Sequence, residues 1–160
     1  MTFTSRIDLS EHVRKHASVL LQARLSDALD LEAQAKQAHW NVKGPHFLQL
    51  HQLFDAVHDT VEQFVDLLAE RITTLGHIAD GRVSTTAQAT TLYGYPLEAA
   101  GGEAHLKALA GSLAVFGKAA RAAIDAANAI GDADTADLFT QVSRETDKQL
   151  WLLEAHLQVH

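Results

Sequence analysis

The stretch His51-Gln-Leu-Phe-Asp55-Ala-Val-His58-Asp59-Thr-Val-Glu62-Gln-Phe-Val-Asp66-Leu-Leu-Ala-Glu70 carries two patterns at once. Phe54, Val57, Val61, Phe64 and Leu68 recur at spacings of three and four, and Leu50 and Ile72 extend the row at either end, as one buried stripe of a helix requires. Every ionisable side chain in it is a histidine or a carboxylate. From Gly44 to Glu70 there is no lysine and no arginine. A solvated helix face ordinarily mixes signs, because opposite charges one turn apart stabilise it and like charges do the reverse. These acids therefore need a counter-charge from elsewhere, either another chain or a cation.

With His51 at zero and about 100° per residue, Asp55 lies near about 40°, Asp66 near about 60° and Glu70 near about 100°. The apolar stripe centres near about −90°, so the polar four share one side of the helix. One helix cannot bring them to one metal, since His51 and Asp66 are about 22 Å apart along the axis and metal–ligand bonds are about 2 Å. Antiparallel pairing of this helix with its own copy removes the difficulty. His51 with Glu70 and Asp55 with Asp66 both sum to 121, so one register centred between Thr60 and Val61 serves both pairs. An isologous interface builds such a site twice. His39, at the end of the preceding helix, completes the set. Nitrogen and carboxylate donors without sulfur suit iron, manganese or zinc, and mixed sites of this kind that hold two metals are typical of iron–oxygen chemistry. The Glu-x-x-His pairs of an intrachain di-iron bundle are absent.

Working outward, the only two prolines, Pro45 and Pro96, lie near glycines in connections. Helical spacing of Val13, Ala17, Leu20, Leu21, Leu25, Ala28, Leu29 and Leu31 predicts a first helix over about residues 8 to 41. Lys43-Gly44-Pro45 ends it and opens a second, which runs to about residue 76. Residues 77–101 hold Gly81, Gly94, Pro96 and Gly101 and form a long connection, in which a short helix is expected near residues 84 to 91. A third helix covers about residues 102 to 129 and Gly131 breaks it. A fourth opens at Asp134-Thr-Ala-Asp137, where short acidic side chains suit a first turn. Two helical hairpins joined by one long crossover make an all-α four-helix bundle of ferritin-like topology, in one domain over residues 1–160.

Composition narrows the function. The 160 residues are 47% hydrophobic and 21% charged, ordinary for a globular domain, and no apolar run approaches a membrane span. Neither a secretory signal nor a cysteine is present, which removes thiol chemistry and points to a cytoplasmic home. The net charge of −7 opposes nucleic acid unless a local segment is basic. Ten histidines by themselves decide nothing.

At this point the residues resemble the Dps family, mini-ferritins first described as DNA-binding proteins from starved cells. The resemblance rests on Lys36-Gln-Ala-His-Trp-Asn-Val-Lys-Gly-Pro-His-Phe47, on His51-x3-Asp55 and Asp66-x3-Glu70-Arg71, and on Asp134-Thr-Ala-Asp-Leu138 with Ser143-Arg144, Asp147-Lys148 and Trp151. It implies a hollow dodecamer whose ferroxidase centres lie at two-fold interfaces. Residue by residue, it implies His39, His51 and Asp55 as ligands from one subunit and Asp66 and Glu70 from its partner. It places Lys36 and Trp40 beside that centre, and an acidic three-fold pore at Asp132, Asp134 and Asp137. It implies oxidation of Fe(II) with hydrogen peroxide or dioxygen, storage of ferric mineral and protection against oxidative stress. The chain departs from the lysine-tailed members that condense DNA, since only Arg6 precedes Asp8 and the end reads Leu157-Gln-Val-His160.

Other readings stay beside this one. The polar arc reads alternatively as a solvated face, Trp40 as an aromatic anchor of the turn, and the three pore aspartates as helix caps. His58 and Glu62 read as interface polar residues, while His46 and His77 receive no role. A nucleoid-compacting protein with an incidental metal site, and a zinc- or manganese-buffering protein without redox turnover, are the competing functions.

Overall fold

The computed structural model describes residues 2–158. Its helices are α1 (Glu11–Asn41), α2 (Phe47–Thr74), α3 (Val83–Ala89), α4 (Gly102–Ala129) and α5 (Ala133–Ala155), and α1 packs on α2 and α4 on α5 as two hairpins. The crossover from the first hairpin to the second contains α3, as the sequence predicts. No helix among the described residues is long and apolar enough to cross a membrane.

Each boundary has a local cause. Ser10, not Asp8, starts α1: its hydroxyl accepts from the Val13 amide at 3.3 Å. Gly44, at φ +115°, makes the turn into α2, and the Phe47 amide donates back to its carbonyl at 3.1 Å. α5 begins one residue before the expected Asp134, because Asp132 is the cap. Leu50, Phe54, Val57, Val61, Phe64, Leu68 and Ile72 of α2 are all buried, with Phe64 stacked on Phe116 of α4 at a centroid distance of 6.2 Å. Burial of a large apolar side chain stabilises by about 1.5–3 kcal/mol, so this stripe fixes which side of α2 is left for chemistry.

Helix α1 behaves differently. Besides its apolar row it buries Asp27 and Gln34. Asp27 pairs with Arg24 at 2.6 Å and accepts the Thr91 amide at 2.7 Å and its hydroxyl at 3.1 Å. Asp30 accepts from Thr90 at 2.7 Å. The Gln34 amide donates to the Tyr93 carbonyl at 3.0 Å and its oxygen accepts from Ser112 at 2.6 Å. Gln22 and the Asp80 backbone exchange a donor and an acceptor at 3.0 and 2.9 Å. These rungs supply partners to the backbone of the crossover, which has little regular structure of its own.

The start of the chain is also held. The Phe3 amide donates to the Gly76 carbonyl at 2.7 Å, Gly76 has φ +86°, and a Cβ there would meet the Phe3 carbonyl oxygen at 2.6 Å. Gly76→Ala is therefore expected to cost more than about 1 kcal/mol through backbone strain and loss of the docked segment. Gly44→Ala, strained but with open space around it, is the control. Urea denaturation, with limited proteolysis near residue 6, measures both; equal effects from the two variants would show that docking contributes nothing.

Candidate metal centre

His39 lies in the last turn of α1 and His51 in the second turn of α2, and the Gly44-Pro45 turn folds one onto the other. Their rings stack with centroids 3.6 Å apart and planes 22° from parallel. His39 Nδ1 donates to the His51 carbonyl at 2.8 Å, and His51 Nδ1 donates to the His39 carbonyl at 2.8 Å. A backbone carbonyl only accepts, so both Nδ1 atoms carry hydrogen. In the neutral rings this leaves both Nε2 lone pairs free, and such outer hydrogen bonds orient metal-binding imidazoles.

Asp55 joins them one turn along α2. Its Oδ1 lies 3.6 Å from His39 Nδ1 and in contact with the ammonium of Lys36, a turn before His39. The hydrogen bond from Lys36 holds the Asp55 carboxyl below the ordinary carboxylate range. Lys36 thus keeps the carboxylate ionised and stands where a cation would be drawn. Trp40, next along α1, is 68% exposed.

Asp66 and Glu70 are exposed on the same helix, beyond the reach of this cluster. Arg71 is turned away from Glu70 towards α5, so it leaves that carboxylate open. Within one chain the structure therefore brings together Lys36, His39, His51 and Asp55 and leaves Asp66 and Glu70 apart. Among the described residues, the one group of at least three His, Asp or Glu with ligand atoms mutually within 4.8 Å is Asp55, His58 and Asp59. His58 is also 3.3 Å from Glu32 of α1, so it is engaged inside its own subunit rather than serving only an interface. The sequence reading missed Glu32 because no spacing rule links it to α2.

The acidic turn before α5 requires a correction. Asp132 is 1% exposed. It accepts from Arg71 at 2.9 Å, from the Thr135 amide at 3.0 Å and from the Thr135 hydroxyl at 2.6 Å. Charge pairing and capping consume the carboxylate, so it does not line an opening. Asp134 and Asp137 are exposed.

A family model described as a ferritin-like domain matches residues 19–159. The DNA protection during starvation protein of Agrobacterium fabrum is 37% identical over 157 residues, covering 98% of this chain and 97% of that protein. A Mycobacterium smegmatis Dps has the same architecture at a TM-score of 0.93 and 31% identity, with 99% of this chain and 96% of that one covered. A Dps of Microbacterium arborescens, solved in a high-iron form, gives 0.89 at 32% identity over 98% of this chain and all of that one, 100%.

Asp132→Ala removes a helix cap and leaves Arg71 facing a buried gap. A loss of about 3 kcal/mol is expected. Asp132→Asn still accepts from the Thr135 amide and should lose clearly less. Chemical denaturation at fixed protein concentration distinguishes them; a near-neutral Asp132→Ala would return this residue to the pore.

Proposed function

Because the chain belongs to the ferritin-like family that includes the Dps proteins, we propose that it is an iron-storing mini-ferritin that oxidises Fe(II) at a site shared by two subunits. The observation that carries this reading is the locked His39–His51 pair beside Asp55, a half-site with two free imidazole nitrogens and one carboxylate. Antiparallel pairing of α2 with a second copy brings the partner's Asp66 and Glu70 to this end. The complete set is then His39, His51 and Asp55 from one chain with the two carboxylates of the other.

Each group has a distinct task. The Nε2 atoms of His39 and His51 bind Fe(II) with their ring directions already fixed, so little order is lost on binding. Asp66 and Glu70 offset the charge of the entering cation, and Lys36 gives up its contact with Asp55 as that cation arrives. Hydrogen peroxide takes two electrons, one from each of two Fe(II) ions, and with two protons leaves as two waters. The ferric product is stored inside a dodecamer, which lowers the supply of both Fenton reactants in the cytoplasm. Zinc and manganese fit the same donors, but Zn(II) does not support the redox step.

Two further parts of the reading concern access and partners. Asp134 and Asp137 form the iron entry, since exposed carboxylates focus a field that concentrates cations. The charge weighs against DNA as a partner. The chain carries −7, which opposes the phosphate backbone, and the segment at Phe3 is tied to Gly76.

Mixing His51→Ala chains with Glu70→Ala chains tests the shared site. Both lesions then fall in one copy of the site at each mixed interface, and the other copy is intact. Peroxide-dependent Fe(II) oxidation should reappear in the mixture although each homogeneous variant is inactive. Absence of recovery with assembly intact would reject sharing. The Asp134→Asn, Asp137→Asn double variant should take up iron more slowly, with the difference fading as salt screens the field; an unchanged low-salt rate would remove the entry assignment. In gel-shift titrations at neutral pH and about 0.15 M salt, no DNA complex should form, and a tight one would contradict the tied-segment argument.

A further inference from the structure

Behind the metal-binding end lies a polar pair that the oxidation described above does not use. His105 of α4 is 1% exposed, and its Nδ1 is 2.6 Å from the hydroxyl of Tyr95 in the crossover. The two rings stack with centroids 6.0 Å apart. His105 Nε2 makes no hydrogen bond of good geometry, although the Asn41 backbone lies close enough to favour a proton on the ring. A poorly paired polar atom in the core carries a cost that leucine in the same place would not, so packing alone does not account for the residue.

Its surroundings suggest what does. The His105 ring is 6.3 Å from that of Phe54, the residue immediately before Asp55. The Asn41 backbone, two residues beyond His39, favours a proton on the imidazole, while burial, the larger effect, pushes it towards the neutral form. Burial also pushes the Tyr95 phenol well above its ordinary range. The phenol therefore does not release its proton alone, and a neutral imidazole is in place to take it.

We propose that Tyr95 and His105 form a proton-coupled electron donor to the iron site. The inference rests on the ferroxidase reading and extends it to a site holding a single Fe(II). That ion supplies one electron, and one-electron reduction of hydrogen peroxide yields hydroxide and a hydroxyl radical. Tyr95 supplies the second electron. Fe(II) becomes Fe(III), the O–O bond breaks, the phenolic proton moves to His105 Nδ1, and two solvent protons complete two waters. What remains is a tyrosyl radical beside an imidazolium. Tyr95 also lines a surface cavity of about 230 Å³ with Gln34, Pro96 and Ser112, through which a small one-electron reductant such as ascorbate restores the phenol as His105 returns its proton.

The chain has two tyrosines, and Tyr93 is 75% exposed, which makes it an internal control. The assembled protein is loaded anaerobically with one Fe(II) per site, mixed with hydrogen peroxide and frozen for electron paramagnetic resonance, while iron oxidation is followed by absorbance. We expect a radical signal that narrows when the protein is made with ring-deuterated tyrosine, a measurement that needs no mutation. The signal should be lost in Tyr95→Phe, persist in Tyr93→Phe, and fall in yield in His105→Gln, whose amide accepts a hydrogen bond but does not keep the proton. Ordinary iron oxidation with no tyrosyl signal overturns this inference alone. So does a signal that survives Tyr95→Phe, or one that belongs to Trp40 and disappears in Trp40→Phe. If the unmodified protein oxidises no Fe(II) with peroxide, the metal-centre reading falls and this inference falls with it.

Discussion

Two imidazoles, each donating to the other's backbone carbonyl, tie the end of α1 to the start of α2, and the arrangement of this end of the bundle follows from that tie. The bonds fix the ring directions and the register of the first hairpin together. A small slide of α2 along α1 would break both, so ring orientation and helix packing are one constraint. The buried stripe of α2 then turns Asp55, Asp66 and Glu70 away from the core. Helix pitch on one rigid rod then keeps Asp66 and Glu70 apart from His51 and Asp55.

Arg71 marks where the acidic face of α2 stops. As the first basic residue after the acidic stretch it is adjacent to Glu70, yet its guanidinium binds Asp132 and Thr135 at the start of α5. Nearby opposite charges normally quench each other; here the arginine is held by a buried carboxylate on the other hairpin. Glu70 keeps its charge available, and the two hairpins gain a specific contact at the same end of the bundle.

The α2 pattern was legible in sequence because it rests on helix periodicity and on the absence of Lys and Arg from Gly44 to Glu70, both one-dimensional properties. The four long helices were legible from the sequence too, and α3 was expected because so long a connection rarely lacks structure of its own. What escaped notice was partnership across elements. Gln22, Asp27, Asp30 and Gln34 look in sequence like the wet face of α1, and only the path of the crossover turns them into its anchors. Asp132 was misassigned to a pore because three closely spaced aspartates read alike until burial separates them, and Glu32 and the Tyr95–His105 pair gave no spacing to recognise. The resemblance to Dps proteins named the candidate ligands, and the fold supplied the reason that His39 and His51 point as they do.

The crossover anchors have a kinetic consequence. Within each hairpin the helices adjoin in sequence, so their contacts close short loops. The rungs from α1 to the crossover close far longer ones, 58 residues from Gln22 to Asp80 and 64 from Asp27 to Thr91. Ordering a longer loop costs more entropy and slows the contacts that depend on it. The rungs are also polar, and Leu92 is the crossover's one buried large apolar side chain among the described residues. The hairpins consequently form first and the crossover docks last; in the native state the same segment is the unit that opens while both hairpins stay closed.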